Sequence, residues 1–310
     1  PGGLLAVDSG LFRPRLACCY LVEHGDEAII VEAGGASGAE RLLTTVDRRG
    51  VEREQVRFVI VTHVHLDHAG GAGMLMKALP NATLLVHPKG ARHMVDPSKL
   101  EKGARAVYGD EGFDRVYGSL LPVPENRVRE MADGEVIDWN GRGLTFVDTP
   151  GHASHHFCVH DALTNGWFTG DTFGLSYRDL DTDKGPFVFP TTTPIDFNPD
   201  ALRRSIARLL AVEPEWMYMT HFGRIGDPES LAPALIAGIN QFEQWGLEFE
   251  ECDDRVALIE EAMTGWLMDG ARQHGVTLAE DELHALFQMD IALNSAGIDV
   301  WLKRRAKARG

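Results

Sequence analysis

Apolar and polar positions recur with two different periods along this chain, and the places where the period changes outline its elements. Residues 16–23 and 28–31 are β-compatible runs on either side of the turn signal Gly25-Asp26, which predicts a β-hairpin. A helix is expected over 39–49. Residues 56–61 form a buried-strand pattern that runs directly into His63, and helix-compatible residues resume over 70–79. The histidines that follow the strand therefore sit at a strand-to-helix junction. Another strand is expected over 84–86, then a largely helical stretch over 88–107 interrupted at Asp96-Pro97.

From there the period shortens. Residues 127–131, 135–139, 144–148, 156–160 and 166–169 read as short strands separated by glycine, asparagine and aspartate turns, the meander of a second sheet. Residues 172–199 have no period and carry Gly185-Pro186, Pro190, Pro194 and Asn198-Pro199, so a long loop is expected, a length that compact domains usually keep for function. A helix over 200–211 places Leu202, Ile206, Leu209 and Leu210 on one face, and a strand over 216–219 ends at Thr220-His221. Asp227-Pro228-Glu229 then opens a run of helical patterns with no strand to the end. The expected organisation is a sheet-rich domain over 1–226 and a helical domain over 227–310.

With 310 residues, 44% of them hydrophobic, the chain is long enough for a large core. The formal charge of -16 repels polyanions, so nucleic acid is not the expected substrate and a small molecule is. Cys18, Cys19, Cys158 and Cys252 are few and irregularly spaced, unlike a disulfide framework, and a reducing cytoplasm is the expected setting. The first three lie in strand patterns and read as buried thiols. No apolar run approaches the roughly 20 residues of a spanning helix, so no membrane partner is expected.

The candidate chemistry begins with His63-Val64-His65-Leu66-Asp67-His68. In an extended segment side chains alternate, so His63 and His65 project to one side and reach one cation. Asp67 and His68, entering the next helix, point elsewhere and can serve a second cation. His152, Asp171 and His221 each stand at the end of an expected strand, where a side chain is held by a rigid sheet yet open to substrate. Any one of these histidines alone reads as readily as a satisfied core residue; the recurrence at strand ends does not.

The run HVHLDH followed by Thr149-Pro150-Gly151-His152, Thr169-Gly170-Asp171 and Thr220-His221-Phe222-Gly223, in that order and spacing, resembles the metallo-β-lactamase superfamily over about residues 3 to 226. Within it the similarity is to the hydroxyacylglutathione hydrolase (glyoxalase II) branch. The resemblance implies an α/β fold, the αββα sandwich, with His63, His65 and His152 on one metal, Asp67, His68 and His221 on the other, and Asp171 bridging. An aspartate bridge argues against a zinc β-lactamase. Two positions depart from the family pattern. Glu32 in Val31-Glu32-Ala33-Gly34 replaces the usual aspartate that supports the ligand loop, and His155 replaces a glycine after His152. His155 and His156 read either as partners of backbone carbonyls or as residues facing substrate.

A water between two divalent cations has its pKa drawn toward neutrality, so a hydrolase of a carboxylic ester, thioester or lactone is expected, with Asp67 orienting the hydroxide and moving its proton. Zinc is the default for imidazole and carboxylate ligands; iron and manganese also accept them. A phosphodiesterase and a mononuclear iron persulfide dioxygenase are the alternatives on the same fold. Tyr177 is the expected oxyanion donor, and Phe173, Tyr177, Phe187, Phe189 and Phe197 either wall an acyl site or pack their loop. Lys303, Arg304, Arg305, Lys307 and Arg309 either receive an anionic carrier or form a solvated helix end. The helical tail must bury an apolar face, for which a homodimer is the expectation.

Overall fold

A computed structural model describes residues 2–309. The chain divides into two compact units: residues up to Asp148 with His155–Gly170 and Pro214–Gly226, and Thr149–Ser154 with Asp171–Glu213 and everything from Asp227. The division is thus not a single cut at residue 226; two earlier segments group with the helical tail.

In the first unit, β1 (Leu4–Asp8), β2 (Cys18–His24), β3 (Glu27–Val31), β4 (Val56–Ile60), β5 (Thr83–Val86) and β6 (Val128–Glu130) form one sheet in sequence order. The first three are antiparallel neighbours, and β3 to β6 run parallel. Parallel neighbours need crossovers. These are supplied by α1 (Ala36–Arg49), then α2 (Leu66–Ala69) and α3 (Ala72–Ala78), then α4 (Pro88–Val95), α5 (Ser98–Tyr108) and α6 (Asp110–Val116). The interruption at Asp96-Pro97 separates α4 from α5, as the proline predicts.

The second sheet holds β7 (Val136–Trp139), β8 (Arg142–Asp148), β9 (Phe157–Asp161), β10 (Gly166–Gly170), β11 (Trp216–Met219) and β12 (Gly223–Gly226), again in sequence order. Only β10 and β11 pair parallel. Between them, Asp171–Glu213 belongs to the second unit.

The alternation of side chains along the first sheet builds two cores. Cys19, Leu21, Ala28, Ile30, Val59, Leu84 and Val86 pack with Ala39, Leu42, Val46, Leu75 and Met76 of the helices. Their neighbours Cys18, Tyr20, Val22, Ile29, Val31, Ile60 and Leu85 pack with Ile137, Leu144, Phe146, Phe157, Val159, Phe168 and Tyr218 of the second sheet. A one-residue slip of any of these strands would exchange the two sets. Helix, sheet and sheet are therefore stacked layers, in keeping with the expected fold class. β1 and β12 escape the sequence pattern because the first is only half-buried and the second is half glycine.

The second unit contains α7 (Pro199–Leu210), α8 (Pro228–Glu248), α9 (Arg255–His274) and α10 (Glu280–Arg309). Asn198 caps α7 by accepting from Ala201 N–H at 2.9 Å. Ile259, Met263, Leu267 and Ala271 make the buried stripe of α9, and Leu283, Phe287, Ile291, Ile298 and Leu302 that of α10. The aromatics of the 172–199 loop resolve toward packing. Phe173 and Phe189 are fully buried, Phe189 stands edge-on to Phe287 and Tyr177, and Phe187 lies against His274 and Phe287. That packing is the physical reason the loop groups with the tail.

The basic run at the carboxy end is largely paired. Lys303 meets Asp299 at 2.6 Å, Arg309 meets Glu250 at 3.6 Å, and Arg304 pairs with Asp196. An anionic carrier would have to displace these carboxylates. Among the described residues no helix is long and apolar enough to cross a membrane.

Phe168 sits between Tyr20 and Tyr218 at ring-centroid distances of 5.3 and 5.0 Å. Replacing it with alanine is expected to lower the unfolding free energy in urea by about 3–5 kcal/mol, the loss typical of a buried phenylalanine. A loss under about 1 kcal/mol would show that the two sheets do not share this core.

Candidate metal centre

β4 lies between two parallel neighbours, and its ladder continues past its end through Val61 N–H to Leu85 C=O at 3.2 Å. The chain then leaves the sheet through Thr62, His63, Val64 and His65 and turns into α2, which carries Asp67 and His68. The end of β3 cradles that short helix: Ala33 N–H donates to His68 C=O and Gly71 N–H to Gly34 C=O, both at 2.7 Å. Glu32 has a φ of 66° and is fully buried. Its carboxylate turns under the histidine loop.

That carboxylate organises the loop. One oxygen accepts from the Thr62 hydroxyl at 2.6 Å, from His68 Nδ1–H at 3.1 Å and from the Thr220 hydroxyl at 3.3 Å; the other accepts from Thr62 N–H at 3.3 Å. Having given its proton to Glu32, the Thr62 oxygen accepts from His63 Nδ1–H at 3.0 Å. His221, after β11, donates from Nδ1 to Leu16 C=O at 2.8 Å. Three imidazoles are thus tied outward through Nδ1, which fixes the tautomer and leaves Nε2 as the ligand atom.

The inner nitrogens meet other ligand-type atoms. His63 Nε2 faces His65 Nδ1 at 2.7 Å. The Nε2 atoms of His68 and His221 lie 3.5 and 3.4 Å from one oxygen of Asp67. Asp67, His68 and His221 each offer one atom within 4.8 Å of the others, the span of a coordination shell. Burial pushes the Asp67 carboxyl up, but His68 and His221 beside it outweigh that and hold it well below the usual carboxylate range. It is a carboxylate at neutral pH.

In the second unit His152 and Asp171 form a matching pair. His152 Nδ1–H donates to Thr191 C=O at 3.3 Å, and His152 Nε2 lies 3.1 Å from Asp171 Oδ2. Both residues are buried. Gly170, just before Asp171, has a φ of 47°, and a Cβ there would stand 2.5 Å from both His156 Nε2 and Thr62 Oγ1. Only glycine fits beside the histidine loop at that point.

His156 is fully buried and stacks on His63 with ring centroids 4.7 Å apart, so it supports the His63 ring. His155 is half-buried, edge-on to His65 at 5.5 Å, and accepts from Val64 N–H at 3.5 Å. Tyr177, expected as an oxyanion donor, is buried with its hydroxyl on both oxygens of Asp290 at 3.0 Å. To reach a substrate oxygen it would have to leave that carboxylate. Cys18, Cys19 and Cys158 are buried free thiols, and burial pushes the Cys18 thiol up to about 12, so it is no nucleophile. The sequence reading missed Thr62, Thr220, Asp290 and Asn294. The last two had a signal, since they are polar residues on the apolar stripe of a predicted helix.

Sequence comparison agrees with this geometry. The description of the metallo-beta-lactamase superfamily matches residues 13–221. The chain belongs to that superfamily. It is 26% identical over 229 residues to a metallo-beta-lactamase fold-containing protein of Sulfurisphaera tokodaii, a match covering 72% of this chain and 79% of the relative. It is also 26% identical over 154 residues to the hydroxyacylglutathione hydrolase of Aeromonas salmonicida, covering 49% of this chain and 45% of that enzyme. Among solved structures, an archaeal metallo-beta-lactamase superfamily protein from Sulfolobus tokodaii matches with a TM-score of 0.66 at 21% identity, over 96% of this chain and 98% of the other. The fold is that of the metallo-β-lactamase superfamily with a helical carboxy-terminal region.

Superfamily members bind divalent metals, and these residues fit such ions. Ring nitrogens with fixed tautomers and an ionised carboxylate, held on α2 and on the segments that leave the strand ends, are a hard-to-borderline donor set suited to zinc, iron or manganese. Glu32→Ala removes the acceptor behind His68 and Thr62 and is expected to weaken zinc affinity roughly 10- to 100-fold in a chelator competition titration. Wild-type affinity in the folded variant would show that the carboxylate does not orient the ligands.

Proposed function

We propose that this superfamily member is a binuclear metal-dependent hydrolase of a carboxylic ester, thioester or lactone. In this reading His63, His65 and His152 serve one cation, Asp67, His68 and His221 the other, and Asp171 both. The observation that carries it is the fixing of four imidazoles through Nδ1, with Nε2 turned toward carboxylate or imidazole. A folded core has little other use for so many inward ring nitrogens.

When bound, a pair of divalent cations lowers the pKa of water and polarises an acyl oxygen. The chain's own contribution is placement and proton movement. Asp67, ionised and partly open to solvent, accepts a proton from the attacking water and delivers it to the leaving oxygen or sulfur as the acyl bond breaks. His68 and His221 hold that carboxylate from two sides. A thioester is favoured within the substrate class because the Aeromonas relative is a hydroxyacylglutathione hydrolase, a likeness over about half of each chain. The charge of -16 turns away polyanions and so disfavours the phosphodiesterase reading.

Purified protein is expected to carry two zinc, iron or manganese ions per chain and to hydrolyse at least one member of a thioester, lactone and aryl ester panel. Asp67→Ala should lower turnover by roughly 100-fold or more. Unchanged turnover with both metals retained would remove Asp67 from the chemistry. One iron per chain with oxygen uptake and no hydrolysis would replace the hydrolase with the dioxygenase.

A further inference from the structure

The polar residues buried along α10 have no part in the reaction just described. Asp290 is 6% exposed and Asn294 fully buried, one helical turn apart beside Phe287, Ile291 and Ile298. Both are committed to the loop at 172–199. Asp290 accepts the Tyr177 hydroxyl on one limb. On the other limb Asn294 Oδ1 accepts Thr192 N–H at 2.6 Å, its Nδ2 donates to Pro190 C=O at 3.4 Å, and its main-chain carbonyl accepts the Thr192 hydroxyl at 3.1 Å. The helix comes close enough that a Cβ on Gly297 would stand 2.0 Å from Thr192 Oγ1 and 2.6 Å from Thr193 O.

The two limbs are also tied to each other, Leu175 and Phe189 exchanging main-chain hydrogen bonds of 2.9 and 3.1 Å. Each limb reaches a ligand-type residue, the first by the chain itself and the second by a hydrogen bond. The first starts from Asp171, whose carbonyl accepts Gly174 N–H at 3.1 Å. The second carries Thr191, whose carbonyl holds His152 Nδ1–H. With His152 Nε2 at 3.1 Å from Asp171, the contacts close a ring through Asp171, Tyr177, Asp290, Asn294, Thr192, Thr191 and His152.

We propose that Asp290 and Asn294 are positioning residues that set the geometry of the metal ligands Asp171 and His152 from the carboxy-terminal helix. The proposal rests on the reading of those two residues as ligands. An asparagine serves here because it offers an acceptor to Thr192 N–H and a donor to Pro190 C=O at once, which neither leucine nor aspartate does. Tyr177 belongs to the same clamp, which accounts for a hydroxyl held on a buried carboxylate.

Cobalt(II) titration of the full-length protein tests this without any substrate. Asn294→Ala is expected to keep the helical circular dichroism, weaken cobalt affinity roughly 10- to 100-fold and shift the visible d–d bands. Tyr177→Phe removes a single hydroxyl and should move affinity and bands the same way by less; if Asn294→Ala does not fold, Tyr177→Phe carries the test. Folded variants with wild-type affinity and spectrum, reduced only in unfolding stability, would overturn the proposal. His152→Ala separates the two levels. Its retention of wild-type cobalt affinity would defeat the ligand reading itself, whereas its loss beside a wild-type Asn294→Ala would defeat only the clamp.

Discussion

The first unit is organised around one buried carboxylate. Glu32 can be fully removed from water only because hydroxyls of Thr62 and Thr220, the Thr62 amide and His68 Nδ1–H all donate to it. A buried anion without such donors would be costly; with them it becomes a rigid acceptor at the junction of β3, β4 and the end of β11. The same hydrogen bonds that satisfy Glu32 decide which nitrogen of His68, and through Thr62 which nitrogen of His63, is left for a metal. In the proposed reading, stability and ligand orientation share one set of donors.

The second unit solves the same problem by different means. His152 is fixed by a main-chain carbonyl, and that carbonyl lies in a loop with no regular secondary structure of its own. A loop of this kind is a poor support unless something else orders it. Here the order comes from buried aromatics and from the polar residues of α10. The helical region is therefore a structural part of the surroundings of His152. The basic run at its end pairs Arg304 with Asp196 and Arg309 with Glu250, holding α10 to its neighbours, while Lys303 pairs with Asp299 one turn back on α10 itself.

Much of this was legible in the sequence. The strands of both sheets apart from β1 and β12 announce themselves because a face-to-face sandwich demands alternation, although residues 127–131, read with the second sheet, form β6 at the edge of the first. The histidine cluster stands at the end of the strand that the pattern predicts. Glu32 was visible as one extra methylene in a supporting position, but not as an acceptor of four hydrogen bonds, since Thr62 and Thr220 reach it through tertiary pairing across 30 and 188 positions. β12 was illegible because Gly223 and Gly226 carry no periodic signal. The interleaving of the two units was illegible for a similar reason: it depends on Phe189 meeting Phe287 and Thr192 meeting Asn294, contacts that no local composition encodes. Tyr177 shows the limit of reading a residue by type alone, because its hydroxyl is already held by Asp290.

The account's central claim is that the outward hydrogen bonds choose the ligand nitrogens in advance. Anomalous diffraction at the zinc edge from metal-loaded crystals tests it directly. The account predicts two peaks per chain, one at about 2.0–2.1 Å from Nε2 of both His68 and His221, the other at the same distance from His63 Nε2 and His65 Nδ1, with Glu32 still on His68 Nδ1. A single peak, or a metal bound through His68 Nδ1 with Glu32 displaced, would contradict it.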